Sequence, residues 1–207
     1  MRRHGSLRYT LRVAGLSAFV LAGGRSSRMG TDKAFLEFEG QTLLARAVKL
    51  LRALTEQVHI VGAASKFATH GLVIEDIYPD CGPLGGIQAA LFAAATELNL
   101  ILAVDLPFVN EALLRFIVEQ ACLTDAVVTV PRIAGGYQPL CAVYRRAFAP
   151  LALAALEAGR NKIDALFAAT TTRILEEAEL RRFAFCAAMF ENLNTPEDLR
   201  RAKREKR

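Results

Sequence analysis

Residues 19–35 decide the fold and read Phe-Val-Leu-Ala-Gly-Gly-Arg-Ser-Ser-Arg-Met-Gly-Thr-Asp-Lys-Ala-Phe. An apolar strand, predicted over Ala18–Ala22, runs into a loop that opens with Gly23 and Gly24. Residues without a Cβ let backbone N–H groups approach a phosphate chain closely. The loop also carries three cations, Arg25, Arg28 and Lys33. Exposed N–H groups and cations together favour the oxygens of a nucleoside triphosphate as the ligand.

This loop differs from two common phosphate-binding motifs. No Gly-Lys-Ser/Thr follows a glycine at the Walker A spacing, and the Gly-x-Gly-x-x-Gly pattern of dinucleotide-binding folds is absent. From composition alone, a tight strand-to-helix turn with solvated charges is the alternative interpretation.

The composition is that of a chain with a sizeable buried core. The chain has 207 residues, 53% of them hydrophobic, and no apolar run reaches the roughly 18–20 residues that span a bilayer. Its four cysteines lack Cys-x-x-Cys spacing and its three histidines form no zinc pattern. We therefore expect a cytoplasmic protein that binds no membrane, with reduced cysteines that serve as packing residues.

The basic charge lies at the two ends of the chain. Residues 1–17 carry four arginines and no acid, and residues 200–207 carry six basic residues and one Glu. Subtracting these charges of +4 and +5 from the total of +5 leaves about −4 for residues 18–199. A nucleic-acid binder would need a basic face on the folded body, so none is expected as a partner. We expect 1–17 to be a flexible basic extension.

Short apolar runs alternate with helical stretches along the chain. The predicted strands are Ala18–Ala22, Gln57–Val61, Leu72–Glu75, Leu100–Val104, Ala126–Pro131 and Leu140–Tyr144. The predicted helices are Leu43–Leu54, Gly85–Leu98, Asn110–Ala121, Ala147–Ala158, Asn161–Ala169 and Pro196–Glu205. Apolar strands separated by helices favour a three-layer α/β/α fold with a mostly parallel, Rossmann-like sheet. Such sheets bind ligands beyond the carboxyl ends of their strands.

The ordered string Leu-Ala-Gly-Gly-x-Ser-x-Arg-Met-Gly-x-Asp-Lys, from Leu21 to Lys33, is far more specific than its glycines alone. It resembles the nucleotide-binding signature of the molybdenum cofactor guanylyltransferases, within the wider nucleotidyltransferases that activate sugars. The resemblance implies a single nucleotidyltransferase domain over 18–207. It also implies that Leu21, Ala22, Gly23, Gly24, Arg25 and Lys33 contact the nucleotide.

Two further segments match the same family. Asp76 ends the run Val-Ile-Glu-Asp, where a turn or helix cap is the ordinary explanation. The resemblance gives Asp76 a role in holding guanine or ribose, and a carboxylate suits the two adjacent donors of guanine. Gly82-Pro-Leu-Gly-Gly-Ile87 predicts a turn into a helix, with close packing as the structural alternative. It resembles the family's second signature, which places Gly82, Pro83 and Leu84 near the base and favours guanine over cytosine.

Asp105 emerges from the apolar run Ile-Leu-Ala-Val, just before Leu106-Pro107. Magnesium takes one or two carboxylates together with substrate phosphate oxygens and waters, so one Asp beside a triphosphate loop is sufficient. The alternative is a carboxylate that caps the next turn. In the family this Asp-x-Pro aspartate binds Mg²⁺ and the nucleotide.

The acceptor side is marked by two segments. Gln138 begins a stretch similar to the family's acceptor-side lining, although a polar residue at a strand edge is the alternative. Asn192 and Asn194 precede Thr195-Pro196, which is typical of a helix start. Helix capping does not explain the two asparagines, and the family pattern Asn-x-Asn-Thr-Pro-Glu implies that they face the active centre.

The resemblance implies a Mg²⁺-dependent transfer of GMP from GTP to molybdopterin carrying molybdenum, with release of pyrophosphate. Lys33, Arg28 and Asp105 are the expected catalytic residues. Molybdopterin-inserting and molybdoenzyme maturation proteins are candidate partners. One departure is that residues 62–65 lack an Asn that contacts the nucleotide in some members. The alternatives are transfer from CTP, a sugar phosphate as acceptor, a non-catalytic nucleotide-binding adaptor, and nucleic-acid binding by the tails.

Overall fold

The structure, a computed structural model, describes residues 13–23, 32–78, 80–193 and 198. Its strands are β1 (Leu16–Leu21), β2 (Glu37–Phe38), β3 (Gln41–Thr42), β4 (Val58–Val61), β5 (Leu72–Ile74), β6 (Leu98–Ala103), β7 (Val128–Ile133), β8 (Gly136–Tyr137), β9 (Cys141–Arg145) and β10 (Thr172–Glu176). Its α-helices are α1 (Leu43–Arg52), α2 (Ala64–Phe67), α3 (Pro83–Ala93), α4 (Glu111–Cys122), α5 (Ala149–Glu157) and α6 (Glu177–Arg182). Helices of 3₁₀ type span Lys33–Phe35, Arg146–Phe148, Ile163–Ala169 and Ala187–Phe190.

Eight strands form one sheet in the order β10-β7-β9-β6-β1-β4-β5, with β8 paired to β7. Strand β1 lies at its centre, parallel to both β4 and β6, so that Val20 pairs with Ile60 on one side and Leu102 on the other. Strand β9 runs antiparallel between β6 and β7. The expected mostly parallel sheet is confirmed.

Alternate residues of β1 enter two different cores, which makes the fold three-layered. Ala18 and Val20 pack with residues of α1 and α4, whereas Phe19 and Leu21 pack with residues of α3 and α5. Every residue of β1 is buried. Burial on both faces is the reason that its residues from Ala18 to Leu21 read as a continuous apolar run. None of the described helices has both the length and the apolarity that crossing a bilayer requires.

Several predicted elements differ in extent or type from those observed. The helix predicted over Gly85–Leu98 begins at Pro83 and ends at Ala93. Extended backbone at Ala94 ends the helix, and the Asn99 amide donates to the carbonyls of Thr96 and Glu97 in the segment that leads to β6. The predicted helix Asn161–Ala169 is a 3₁₀ helix over Ile163–Ala169. Buried Ile163 and Leu166 stand three residues apart, the 3₁₀ period.

The remaining boundaries shift by one or two residues, and some elements were not predicted. Strand β1 begins at Leu16, inside the segment expected to be an extension. Strand β10 and helix α6 were missed, as were the short elements β2, β3, β8 and α2. Except for Asp198, the predicted helix Pro196–Glu205 lies outside the described residues.

Candidate active site

A cavity of about 870 Å³ opens at the carboxyl ends of β1, β4, β5 and β6. Eight residues expected to bind nucleotide or metal line it: Leu21, Ala22, Gly23, Lys33, Asp76, Gly82, Pro83 and Asp105. Their convergence follows from the topology, since parallel neighbouring strands bring the loops that follow them to one edge of the sheet. The predicted residues Gly24, Arg25 and Arg28 lie outside the described residues.

Lys33 and Asp105 meet at this edge. Asp105 follows β6, and the preceding Val104 N–H donates to the Leu21 carbonyl at the end of β1, at 3.1 Å. The Lys33 Nζ lies 2.5 Å from the Asp105 Oδ2, and the two side chains are 25% and 10% exposed. A cation and a carboxylate that are 72 residues apart in the chain therefore form an ion pair at the mouth of the cavity.

Asp76 lies against the first turn of α3. Its Oδ1 accepts a hydrogen bond from the Tyr78 N–H at 2.8 Å. A Cβ on Gly85 would stand 2.9 Å from both Asp76 carboxylate oxygens, so only glycine leaves room for this carboxylate. Burial raises the pKa of Asp76 above its ordinary value, and the Tyr78 N–H offsets part of that rise.

The segment that begins α3 reaches the cavity through Gly82, Pro83 and Gly86. Gly82 has a φ of +68°, the left-handed region that favours glycine, and Pro83 occupies the first turn of the helix. The Leu84 side chain is fully buried in the core between α3 and the sheet. Any contact between Leu84 and a ligand would therefore use its backbone.

The acceptor-side residues are more dispersed. Gln138 is half-buried, its N–H donates to the Pro131 carbonyl, and its side chain does not line the cavity. Asn192 is exposed, but the next residue, buried Leu193, donates its N–H to the Asp105 carbonyl at 2.9 Å. Asn192 and Leu193 thus lie directly beside Asp105. Asn194 lies outside the described residues.

Four charged residues of the cavity were not predicted as site residues: Asp32, Lys66, Glu75 and Asp80. Lys66 donates to the Asp32 Oδ2 at 2.9 Å, and Glu75 accepts the N–H of Ala64 at 3.0 Å. Asp32 and Glu75 each stand next to a predicted residue, Lys33 and Asp76. That adjacency was the available signal, whereas nothing in the sequence near Lys66 indicates its contact with Asp32.

Carboxylates outnumber cations among the described residues of the cavity. Two lysines, Lys33 and Lys66, stand beside five acids: Asp32, Glu75, Asp76, Asp80 and Asp105. Within the described ranges, no three His, Cys, Asp or Glu side chains cluster to form a metal site. Asp105, which belongs to no such cluster, fits a cation that keeps most of its waters and shares phosphate oxygens, which is the behaviour of Mg²⁺.

The sequence also matches known proteins. The sequence model of the MobA-like NTP transferase domain matches residues 18–174. A "probable molybdenum cofactor guanylyltransferase" of Pelotomaculum thermopropionicum is 36% identical, covering 89% of this chain and 90% of its own. A "molybdenum cofactor guanylyltransferase" of Syntrophotalea carbinolica is 31% identical over 91% of each chain.

A solved structure resembles the fold over almost the whole chain. It is the molybdopterin-guanine dinucleotide biosynthesis protein A of Archaeoglobus fulgidus, which superposes with a TM-score of 0.79 at 25% identity. The superposition covers 92% of this chain and 98% of the other.

Proposed function

Because this chain belongs to the MobA-like NTP transferase family, we propose that it transfers GMP from GTP to the terminal phosphate of molybdopterin carrying molybdenum. The product is a molybdopterin guanine dinucleotide, and pyrophosphate is released. The observation that carries the proposal is the meeting of Lys33 and Asp105 at the mouth of a cavity lined by the signature residues.

The reaction exchanges one phosphorus–oxygen bond for another. An oxygen of the acceptor phosphate forms a bond to the α-phosphorus of GTP, while the bond from that phosphorus to the bridging oxygen breaks. The electron pair leaves with pyrophosphate. The acceptor phosphate is largely ionised near neutral pH because its second pKa is about 6, so no strong general base is needed. Positioning and charge neutralisation supply the catalysis.

The chain's own residues divide this work. The backbone of Leu21–Gly23 lies along the cavity where the phosphates would be cradled. Lys33 would leave Asp105 to contact the triphosphate, together with Arg25 and Arg28 of the signature loop. Asp76, held by the Tyr78 N–H, would accept hydrogen bonds from the N–H donors of guanine. Gln138, Asn192 and Asn194 would contact the acceptor.

Dependence on Mg²⁺ is part of the proposal. Among the described residues, carboxylates outnumber cations in the cavity, so added positive charge would favour entry of a triphosphate. Asp105 is the residue that would hold Mg²⁺, with phosphate oxygens and water as the other ligands. The bound ion would neutralise charge on the triphosphate and on the leaving pyrophosphate.

Pyrophosphate release is the measurement that tests this function. The purified chain is mixed with molybdopterin carrying molybdenum and with GTP, CTP or ATP, in Mg²⁺ or in excess EDTA. We expect release with GTP that requires both the acceptor and Mg²⁺. Lys33→Ala should lower it by orders of magnitude, whereas the matched control Lys49→Ala, an exposed lysine of α1, should not.

Each of three other results would contradict a different part of the proposal. Preference for CTP would contradict the guanine assignment of Asp76. Binding of GTP without release of pyrophosphate would favour a nucleotide-binding adaptor. Release that persists in excess EDTA would overturn the Mg²⁺ dependence.

A further inference from the structure

We propose that Lys66 is a positioning residue for Lys33 and acts through Asp32. The inference rests on the proposed function, because the placement of Lys33 matters only if Lys33 acts on the triphosphate. It assigns a role to helix α2, which lies where this chain lacks the asparagine found in some family members.

Asp32 joins Lys66 to the turn that carries Lys33. One carboxylate oxygen of Asp32, Oδ1, accepts the Ala34 N–H at 3.1 Å and caps the 3₁₀ turn Lys33–Phe35. The other, Oδ2, accepts a hydrogen bond from the Lys66 Nζ at 2.9 Å. The orientation of the turn is therefore coupled to α2 through a single carboxylate.

A second contact joins the same two segments. The ring of Phe35, the last residue of the turn, lies 5.8 Å from the ring of buried Phe67, the last residue of α2. The Phe67 ring in turn packs against Gly62, where a Cβ would come within 2.7 Å of the ring. Two contacts, one ionic and one aromatic, fix the turn relative to the end of β4.

The start of α2 is itself held to the sheet. The Ala64 N–H donates to the Glu75 carboxylate, which follows β5. Helix α2 is thereby attached to the ends of both β4 and β5. The Lys33 side chain, at the other end of this series of contacts, reaches Asp105 at the end of β6.

The burial of Asp32 determines whether breaking its ion pair with Lys66 has a measurable effect on the rate. An ion pair between exposed groups contributes little, and the Lys66 side chain is 53% exposed. The Asp32 side chain, however, is only 13% exposed, so removing Lys66 leaves a nearly buried carboxylate without its cation. That carboxylate sits one residue from Lys33, and a displacement of its turn moves Lys33 away from the reacting phosphates.

The test compares Lys66→Met with Lys66→Arg, Asp32→Asn and the control Lys49→Met, using pyrophosphate release with GTP. We expect Lys66→Met to lower kcat about fivefold with little change in the KM for GTP. The rate falls more than the affinity because misplaced Lys33 loses contact with charge that develops on the leaving group. Lys66→Arg, which keeps a cation for Asp32, should restore most of the rate. Asp32→Asn keeps an oxygen for the Ala34 N–H and should match Lys66→Met.

A double-mutant comparison separates positioning from direct contact, since Lys66 also lines the cavity. If Lys66 acts through Lys33, adding Lys66→Met to Lys33→Ala should change the residual rate less than twofold, within the error expected for a coupled pair. A full fivefold further fall would overturn the proposal and make Lys66 a direct ligand of the nucleotide.

Failure of this inference is distinguishable from failure of the proposed function. If Lys33→Ala lowers pyrophosphate release but Lys66→Met, with unchanged thermal unfolding, does not, only the positioning role is wrong. If Lys33→Ala is as active as the unmodified chain, both proposals are wrong.

Discussion

Charged residues are arranged differently around the cavity and around strands β7 and β10. At the ends of β1, β4, β5 and β6, carboxylates and lysines line an open cavity. Around β7 and β10, described arginines bind glutamates of the same region. The pairs are Arg132 with Glu176, Arg173 with Glu179, and Arg181 with Glu177.

Both regions contain ion pairs, and they differ in whether those pairs border an open cavity. On the cavity side, Asp76 and Asp105 line the cavity, and a ligand would reach Asp105 by displacing Lys33 from it. On the other side, an anionic acceptor would have to compete with glutamates for each of these three arginines. The nucleotide side is therefore the more sensitive to single substitutions, and the predictions below proceed from that side to the other.

The largest effect is expected at Asp105. Asp105→Asn keeps the size of the side chain but removes the charge that would hold a divalent cation. We expect kcat to fall about 100- to 1,000-fold, the loss typical of a removed electrostatic contact. Steady-state pyrophosphate release measures it, with the exposed Asp125→Asn as the matched control. A fall of less than threefold would contradict a role for Asp105 at the reacting phosphates.

A smaller effect is expected from titration of Asp76. Burial raises the pKa of this carboxyl, so in the ligand-free protein its stabilising contribution is present below the ordinary pKa and is lost as the pH rises through the raised value. Guanine requires the ionised form, so affinity for GTP should increase with pH through the same window. Asp76→Asn should flatten this dependence and weaken GTP binding about tenfold to hundredfold.

Calorimetric titration with GTP between pH 4 and neutrality, taken as an approximate working range around carboxyl pKa values, measures the dependence. The Asp76→Asn protein is the control for protonation of the triphosphate itself. The same pH dependence in both proteins would show that Asp76 does not contact the base.

The smallest effect is expected on the acceptor side, at Gln138. Gln138→Ala removes one side-chain hydrogen-bonding group outside the cavity, so the KM for the acceptor should rise about fivefold and the KM for GTP should not change. Two-substrate kinetics separate the two constants, with exposed Gln41→Ala as the control. An equal rise in both constants would contradict the assignment of Gln138 to the acceptor.

The sequence predicted the inner strands and the edge strand β5 better than the edge strand β10. Strands β1 and β6 are buried on both faces and read as apolar runs, so periodicity found them. Strand β10 reads Thr-Arg-Ile-Leu-Glu and only Leu175 of it is buried, so no apolar run marks it. Its position comes from pairing with β7, a contact between distant residues that local patterns do not contain.

The candidate site shows the same difference between local patterns, which the sequence reveals, and contacts between distant residues, which it does not. Signature residues that stand together in the chain, such as Leu21–Gly23, were predicted and do line one cavity. The contact of Lys66 with Asp32 spans 34 residues and depends on how β4 and α2 fold beside the turn. Neither residue type nor spacing reveals such a pair, because the information lies in the packing of Phe35 on Phe67.

The hydrogen bond from the Leu193 N–H to the Asp105 carbonyl has a consequence for synthesis of the chain. Once residues 1–182 have emerged from the ribosome, all the strands and α-helices from β1 to α6 have been synthesised. At that stage Asp105 still lacks Leu193, whose N–H binds its carbonyl. Because chains begin to fold while they are being made, the sheet can assemble on the ribosome before catalysis is possible. The segment around Leu193 is therefore added to the site after the strands and helices that position Asp105.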